Sequence, residues 1–485
     1  MPNSIAYLAL AIWPLIAGVM FTRLPRDRAV IWSLMLGYLF LPEPPAVFDL
    51  PMFPPFTKHN LPAIVAFALI LWKDGTKVPL LPQSALGKAL IFTFILSPIL
   101  TVATNEEPVF YGQIGLPGLG LKDMVALSLE QAMKILPFLL ARQHLANSGS
   151  QRELLRALMI GGLVYSLFML IEIRLSPQLN LWVYGYYQHF FGQSMRAGGF
   201  RPVVFLYHGL WVAFFCMTAV VSAWSLWRWS EPGSGRVKYL FAALYLSAVL
   251  VLAKSLGALI FAVMLVPMVI ILPTRMQIRV AVLMGSLALA YPILKGADLV
   301  PQQWLLSQAA AIDPERANSL DFRFANENTL LDRAYEKPIF GWGSWGRNHI
   351  LDPVSGIILT VTDGRWIIVI GVYGWVGFLA EFGLLLLPLL LIGREAAAAR
   401  ERKITPFIAP LALLLAINML DLLPNATITP LTLLVAGALT GYAELLRSER
   451  LKIRKTWPKH ETEPKSEIGP KGESDPKGLK WKSIL

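Results

Sequence analysis

Residues 239–272 read YLFAALYLSAVLVLAKSLGALIFAVMLVPMVIIL, and Lys254 is the single charged residue among them. A helix needs about 20 apolar residues to cross the hydrocarbon core of a bilayer. The stretch therefore reads as two membrane helices turning at Lys254 and Ser255. Comparable runs extend outward on both sides. They lie near 5–21, 29–43, 60–72, 86–104, 123–141, 154–173 and 203–226, then near 278–295, 367–392, 406–423 and 426–446. The sum is about 13 spans, with the short third run extended or tilted to fit. The expected fold is an all-α, polytopic integral membrane protein with 12–13 transmembrane helices. Composition agrees: of 485 residues, 55% are hydrophobic and 15% charged, with a mean hydropathy of +0.55. That balance excludes a soluble domain, a disordered chain and a fibrous protein. The first run has no basic region before it and no small-residue cleavage site after it, so it is expected to be a retained helix. The single cysteine, Cys216, rules out an intramolecular disulfide and a cysteine-based metal site.

The 43 basic and 31 acidic residues leave a net charge of +12. No basic stripe interleaves with stacking aromatics, so the excess points to basic cytoplasmic loops and not to nucleic acid. One set of alternate loops carries Arg23, Arg26 and Arg28; Lys73 and Lys77; Arg142, Arg152 and Arg156; Arg228, Arg236 and Lys238; Arg275 and Arg279; and Arg394, Arg400, Arg402 and Lys403. These belong in the cytoplasm. The tail joins them: residues 448–485 hold ten basic and six acidic residues among repeated Pro, Lys and Gly. They read as a disordered basic cytoplasmic tail, either plainly solubilising or in contact with membrane lipids. The expected organisation is transmembrane helices 1–10 with their outer loops over 1–295, a periplasmic loop over 296–366, helices 11–13 over 367–447, and the tail.

The opposite face holds loops 42–59, 105–122 and 174–202 and the long segment 296–366. A connection of that length among short ones usually has structure and a task of its own. Residues 319–350 within it read SLDFRFANENTLLDRAYEKPIFGWGSWGRNHI. A helix is expected near 322–336, with Arg323 and Arg333 on one side and Pro338 as its stop. Arginine forks suit phosphate oxygens; the same pair also reads as ordinary surface ion-pairing to Asp332 or Glu336. Residues 181–210, LWVYGYYQHFFGQSMRAGGFRPVVFLYHGL, place seven aromatics between Trp182 and Phe200, then Arg196 and Arg201 above a span. The aromatics serve as an interfacial belt or as stacking faces for sugar or lipid. The arginines read as snorkelling side chains or as an anion site. In 362–387, TDGRWIIVIGVYGWVGFLAEFGLLLL, Asp363 and Arg365 precede a span. Asp363 is a candidate general base or a helix cap. Gly371, Gly374 and Gly377 are expected to permit close helix packing.

Within the spans, Glu130 and Lys134 stand i, i+4, while Glu381 and Asp421 have no sequence-local partner. Lys254 falls on the outer side, against the positive-inside tendency, which calls for an anionic partner there. No zinc-type histidine pair, phosphate loop or dinucleotide fingerprint is present. His189, His208 and His349 are scattered and read first as structural.

The ordered set RAGGFRP (196–202), DFRFANENTLLDRAYEKPIFGWGSWG (321–346) and DGRWIIVIGVYGWVGF (363–378) resembles the O-antigen ligase and O-antigen polymerase-like membrane proteins of bacteria. The resemblance covers residues 190–390 and the span count. It implies a lipid-phosphosugar glycosyltransferase (GT-C-like) fold. It also implies transfer of a glycan from an undecaprenyl-diphosphate-linked donor to a glycan or lipid acceptor on the periplasmic face of the inner membrane, with no metal or other cofactor. The family's arginines fall on Arg196 and Arg323, with Arg201 and Arg347 nearby, and their implied role is to hold the diphosphate as a leaving group. Ligases of the family carry a histidine, usually followed by asparagine, where this chain has Asp363 and Gly364. That departure favours an exopolysaccharide or O-antigen polymerase, with Asp363 or His349 as the base.

Two other classes compete. A transporter or flippase of lipid-linked oligosaccharide would show internal repeats and charges through both halves. A non-catalytic scaffold among polysaccharide assembly and export proteins would suit the basic tail. The transferase reading rests on the long segment facing away from the cytoplasm. A cysteine introduced by Ser319→Cys should react with an impermeant thiol reagent in cells whose outer membrane alone is permeabilised. Labelling only after inner-membrane lysis would overturn the topology.

Overall fold

The computed structural model describes residues 1–50, 53–75, 79–196, 198–312, 314–398 and 404–456. Each of the thirteen apolar runs contains a helix. In chain order they are α1 (Ser4–Arg23), α2 (Arg26–Phe40), α3 (Leu61–Asp74), α4 (Ala85–Ala103), α5 (Leu121–Lys134) with α6 (Leu136–His144), and α7 (Ser148–Leu175). After the short α8 (Leu179–Tyr184) come α9 (Gly209–Trp229), α10 (Ser234–Leu252), α11 (Leu256–Ile271) and α12 (Thr274–Gly296). The long segment contributes α13 (Gln302–Ile312) and α14 (Pro314–Tyr335), and α15 (Arg365–Ala398), α16 (Ile408–Asp421) and α17 (Pro430–Thr456) complete the order. Among the described residues the strands form two small hairpins, Val109–Tyr111 with Ile114–Leu116 and Met195–Arg196 with Gly199–Phe200.

The chain is an all-α membrane protein of the multi-pass kind. Eight segments are long and apolar enough to cross a bilayer: α1, α4, α5 with α6, α7, α9, α10, α12 and α15. The thirteen expected spans thus include shorter pieces. α3 and α16 have 14 residues each, about 21 Å of helix against a core of about 30 Å. The run 426–446 opens with a non-helical connection that reaches Thr429. Lipid-type exposure of apolar side chains concentrates on α1, α10 and α11, as at Leu15, Phe241 and Val263. α9 and α16 are buried along most of their length. α9 packs on α7, α10 and α11, and α12 packs on α15 and α16.

Residues 1–447 form one compact unit. At one end the basic loops are tied down: Arg26 to Asp74 at 2.9 Å, and Arg142 to Glu444 at 2.8 Å and to the carbonyls of Pro79 and Leu80. At the other end the four long connections meet. Tyr186 donates to the Glu43 carbonyl, Tyr111 to the His349 carbonyl at 2.6 Å, and Gln188 to the Val204 and Leu206 carbonyls. The expected disordered tail begins as helix, because α17 runs on to Thr456; the rest of it, 457–485, and Lys77, Arg400, Arg402 and Lys403 lie outside the described residues.

α15 is broken at Gly374, which has φ 65° and ψ −167°. The three glycines were expected to let helices pack closely. Gly374 instead interrupts the helix, and the freed backbone groups are met by an inserted segment. Trp342 and Gly343 N–H groups donate to the Gly371 and Val372 carbonyls at 2.8 and 2.9 Å, and Trp375 and Val376 N–H groups donate to Pro338 and Ile339 at 2.8 and 3.2 Å. A transmembrane helix tolerates a break only where such partners exist. α14 ends at Tyr335, three residues before Pro338, which opens the inserted segment. A Cβ at position 374 would collide with the Ile339 carbonyl in a conformation that side chains disfavour. Gly374→Ala should therefore cost on the order of 2–3 kcal/mol, read as a clear fall in melting temperature of the purified protein.

Candidate functional site

α14 is amphipathic. Phe324, Glu327, Leu330, Leu331 and Ala334 are buried at helical spacing. Glu327 reaches Lys295 at 3.6 Å and accepts from the Tyr291 hydroxyl at 3.1 Å, which lays α14 across the ends of α12 and α15. Burial raises the Glu327 carboxyl above its ordinary range, with Lys295 opposing. Arg323 sits at the edge of this buried face. Its Nε lies 3.3 Å from Asp363 Oδ2, and Nη1 donates to the Pro424 carbonyl at 3.2 Å. Asp363 thus pairs with Arg323 and stands two residues before α15, outside the helix it was a candidate to cap. Its sequence neighbour Arg365 turns away and forms a two-pronged pair with Glu381, 2.6 Å on each prong. Asp421 accepts from Asn425 and Thr427. These bonds supply the partners that Glu381 and Asp421 lacked in the sequence.

Arg201 and Arg196 come from the second hairpin. Arg201 is 9% exposed; its Nη2 reaches the Lys254 carbonyl at 3.5 Å, and its buried Nε has no acceptor among the described residues. Burial, then the like charges of Arg196 and Arg323, lower its guanidinium to about 10. Lys254 closes in from the α10–α11 turn, its ammonium against Gly199. His208 belongs to the same group. Its Nδ1 accepts the Leu210 N–H at 3.1 Å and starts α9, which leaves Nε2 to donate to Gln193 Oε1 at 3.0 Å. Burial, then His189, Arg201, Arg196 and Arg323, lower it to about 3, so it is neutral at pH 7. Arg196 and Arg323 thus both act electrostatically on Arg201 and His208, which brings α14 to the second hairpin across more than 120 residues of sequence. Like charges gathered this closely favour an anion between them.

Arg347 does not join them. It is 1% exposed, and its guanidinium is occupied by the carbonyls of Trp342, Pro117 and Glu107 at 3.1, 2.7 and 2.9 Å. The expected phosphate contact is corrected here: this arginine cements the inserted segment to loop 105–122. Arg333 serves the same region, over the Trp342 ring at 3.4 Å and paired with Glu336 at 2.6 Å. His349 Nδ1 lies 3.0 Å from Thr360 Oγ1, and burial lowers its pKa. It makes no contact with Arg323 or Asp363.

A cleft of about 490 Å³ opens at this end of the bundle. Trp211, Trp345, His59, Glu130, Lys134 and Thr429 are among its lining residues. Its Trp211 wall joins the arginine group through ring contacts: Trp211 to Tyr207 at 6.0 Å, Tyr207 to His189 at 5.0 Å, and His189 to His208 at 4.7 Å. Glu130 and Lys134 form the i, i+4 pair read from the sequence, at 3.7 Å. The tyrosines of 182–200 pin loops: Tyr184 to the Phe40 carbonyl, Tyr187 to Ser194. Trp182 and Phe190 stay exposed. His208 and Trp211 were missed as site residues because isolated histidines and tryptophans carry no spacing pattern.

No model of a known protein family matches the chain, and no characterised protein matches it. The geometry separates two kinds of arginine. Arg347→Ala removes a fully buried side chain that bonds one buried and two part-buried carbonyls, and should cost about 3 kcal/mol. Arg323→Ala, at a partly exposed pair, should stay within about 1 kcal/mol. Thermal melts of the two variants check this.

Proposed function

We propose that this chain is a metal-independent glycosyltransferase that polymerises or ligates an undecaprenyl-diphosphate-linked glycan on the periplasmic face of the bacterial inner membrane. The polymerase is the preferred form. The observation that carries the reading is the convergence of Arg196, Arg201 and Arg323, with an unsatisfied buried Nε on Arg201, beside a cleft of 490 Å³. The planar forks of Arg201 and Arg323 bind diphosphate oxygens, and Arg196 closes the group from its exposed hairpin. An acceptor hydroxyl attacks the anomeric carbon, the bond from that carbon to the phosphate oxygen breaks, and polyprenyl diphosphate leaves with the electron pair. The arginines stabilise the charge that develops on it. Asp363 takes the hydroxyl proton and, through its 3.3 Å contact, orients Arg323. His349, bonded to Thr360, is the reserve base. The short helices, tilted or extended by their flanking turns, complete 12–13 crossings of a GT-C-like bundle.

A transporter of the same lipid-linked glycan is favoured by one observation, the charges Glu130, Lys134, Arg365 and Glu381 that sit within the bundle. Reconstitution separates the two. In liposomes carrying undecaprenyl-diphosphate-linked repeat units, the wild-type protein should form new glycosidic bonds. Arg323→Ala and Arg323→Lys should each reduce that by about 100-fold, since lysine keeps charge but loses the fork. Asp363→Asn should lower turnover by about 10²–10⁴-fold with donor binding intact. Movement of intact units across the bilayer without bond formation would replace the enzyme by the transporter. Neither activity, with partner proteins retained on the purified chain, would leave the scaffold.

A further inference from the structure

The cleft contains a device that neither the sequence motifs nor the arginine group explains. His59 Nε2 lies 2.8 Å from Glu43 Oε2, and Lys58 Nζ lies 3.2 Å from Glu43 Oε1. Glu43 and Lys58 are fully buried, and Lys58 also donates to the Phe205 carbonyl at 2.6 Å. The His59 side chain is 33% exposed and lines the cleft. With Nε2 donating to the carboxylate, the ring is held in one orientation, and Nδ1 has no hydrogen bond among the described residues. Burying a lysine and a glutamate to orient one imidazole is costly where only packing is at stake.

We propose that this cleft is the acceptor subsite, that it takes a short neutral oligosaccharide segment, and that His59 is the residue that fixes it. The inference rests on the transferase reading for its place in the reaction. The chemistry of the lining favours sugar. Trp211 and Trp345 offer flat apolar faces, while His59 Nδ1, Glu130, Lys134 and Thr429 offer donors and acceptors for ring hydroxyls. The volume lies within the range of small-ligand sites. An acyl chain would leave the free ring nitrogen of His59 facing it without a polar partner, which is unfavourable once the cleft is filled. Ala426, two residues after the Pro424 carbonyl that Arg323 holds, lines the subsite, and a chain of ring contacts runs from His59 through Trp211, Tyr207 and His189 to His208.

The test uses the full chain in phosphatidylethanolamine–phosphatidylglycerol nanodiscs. The probe is the set of di- to tetrasaccharides released by mild acid from the surface polysaccharide of the cells that make the protein. Calorimetry or saturation-transfer NMR should detect binding to the wild type. His59→Leu and Trp211→Ala should each weaken it at least tenfold, Trp211→Phe should retain most of it, and Arg323→Ala should leave it unchanged. Undecaprenyl diphosphate binding in the same discs reports the transferase reading separately: it should be lost in Arg323→Ala and kept in Trp211→Ala. Failure of the saccharides to bind the wild type, equal binding by His59→Leu and Trp211→Ala, or a phospholipid crosslinked at position 211 that saccharide does not displace would each overturn the subsite. A folded His59→Gln, checked by gel filtration, serves if His59→Leu does not fold.

Discussion

The backbone clasp between residues 338–343 and the break in α15 is the constraint on which the loop-rich end depends. Four hydrogen bonds join the two segments across Gly374. α4 reinforces them: Thr101 donates to the Phe340 carbonyl and Asn105 to the Gly341 carbonyl. A bilayer offers no water to satisfy an interrupted helix, so the clasp and the break require each other. Once both form, the N-terminal part of α15 has a fixed height and tilt. Asp363 is set at its entrance, and α14 is drawn across it with Arg323. Arg347, Arg333 and Trp342 weld the clasp to loop 105–122, which explains why so much arginine in this region is structural.

Electrostatics then acts on a prepared frame. The arginine group brings together a loop hairpin, the long segment and the α10–α11 turn. Burial first, and that crowding of positive charge second, lower the Arg201 guanidinium and keep His208 neutral. The pair between Arg323 and Asp363 is the main local relief, and both partners are about one-third exposed. Any anion entering this group would replace repulsion with ion pairing. The cleft beside it is less charged and more aromatic, which suits a neutral partner.

The sequence made the helical membrane class legible, because apolar runs of spanning length depend only on local composition. It also placed the end of α14 before Pro338 and the Glu130–Lys134 pair, both consequences of helical spacing. Glycines in an apolar run read equally as contacts between helices or as a break, and only the tertiary partner of Gly374 decides between them. Arginine shows a similar limit. Arg323 and Arg347 look alike in sequence, yet one faces an ion-pairing edge and the other a cage of carbonyls. The Glu43–His59 pair was invisible for a different reason: fifteen residues of proline-rich sequence separate its members, and no periodicity links them.

The clasp has one more effect, on how the chain tolerates change in length. Because 338–343 is bonded to 371–376, the residues between them form a closed ring whose ends cannot drift. Within that ring, 352–359 is a largely exposed excursion held by the Leu351–Ile358 bridge, the Asp352 side chain and a bond from the Gln113 N–H to the Pro353 carbonyl. Extending a loop whose ends are already pinned adds little entropic cost, about 0.6 kcal/mol for each doubling. Insertions at Val354 or Ser355 are absorbed without moving Asp363 or Arg323. A single residue added between Pro338 and Gly343 shifts the register of every bond that holds α15 open.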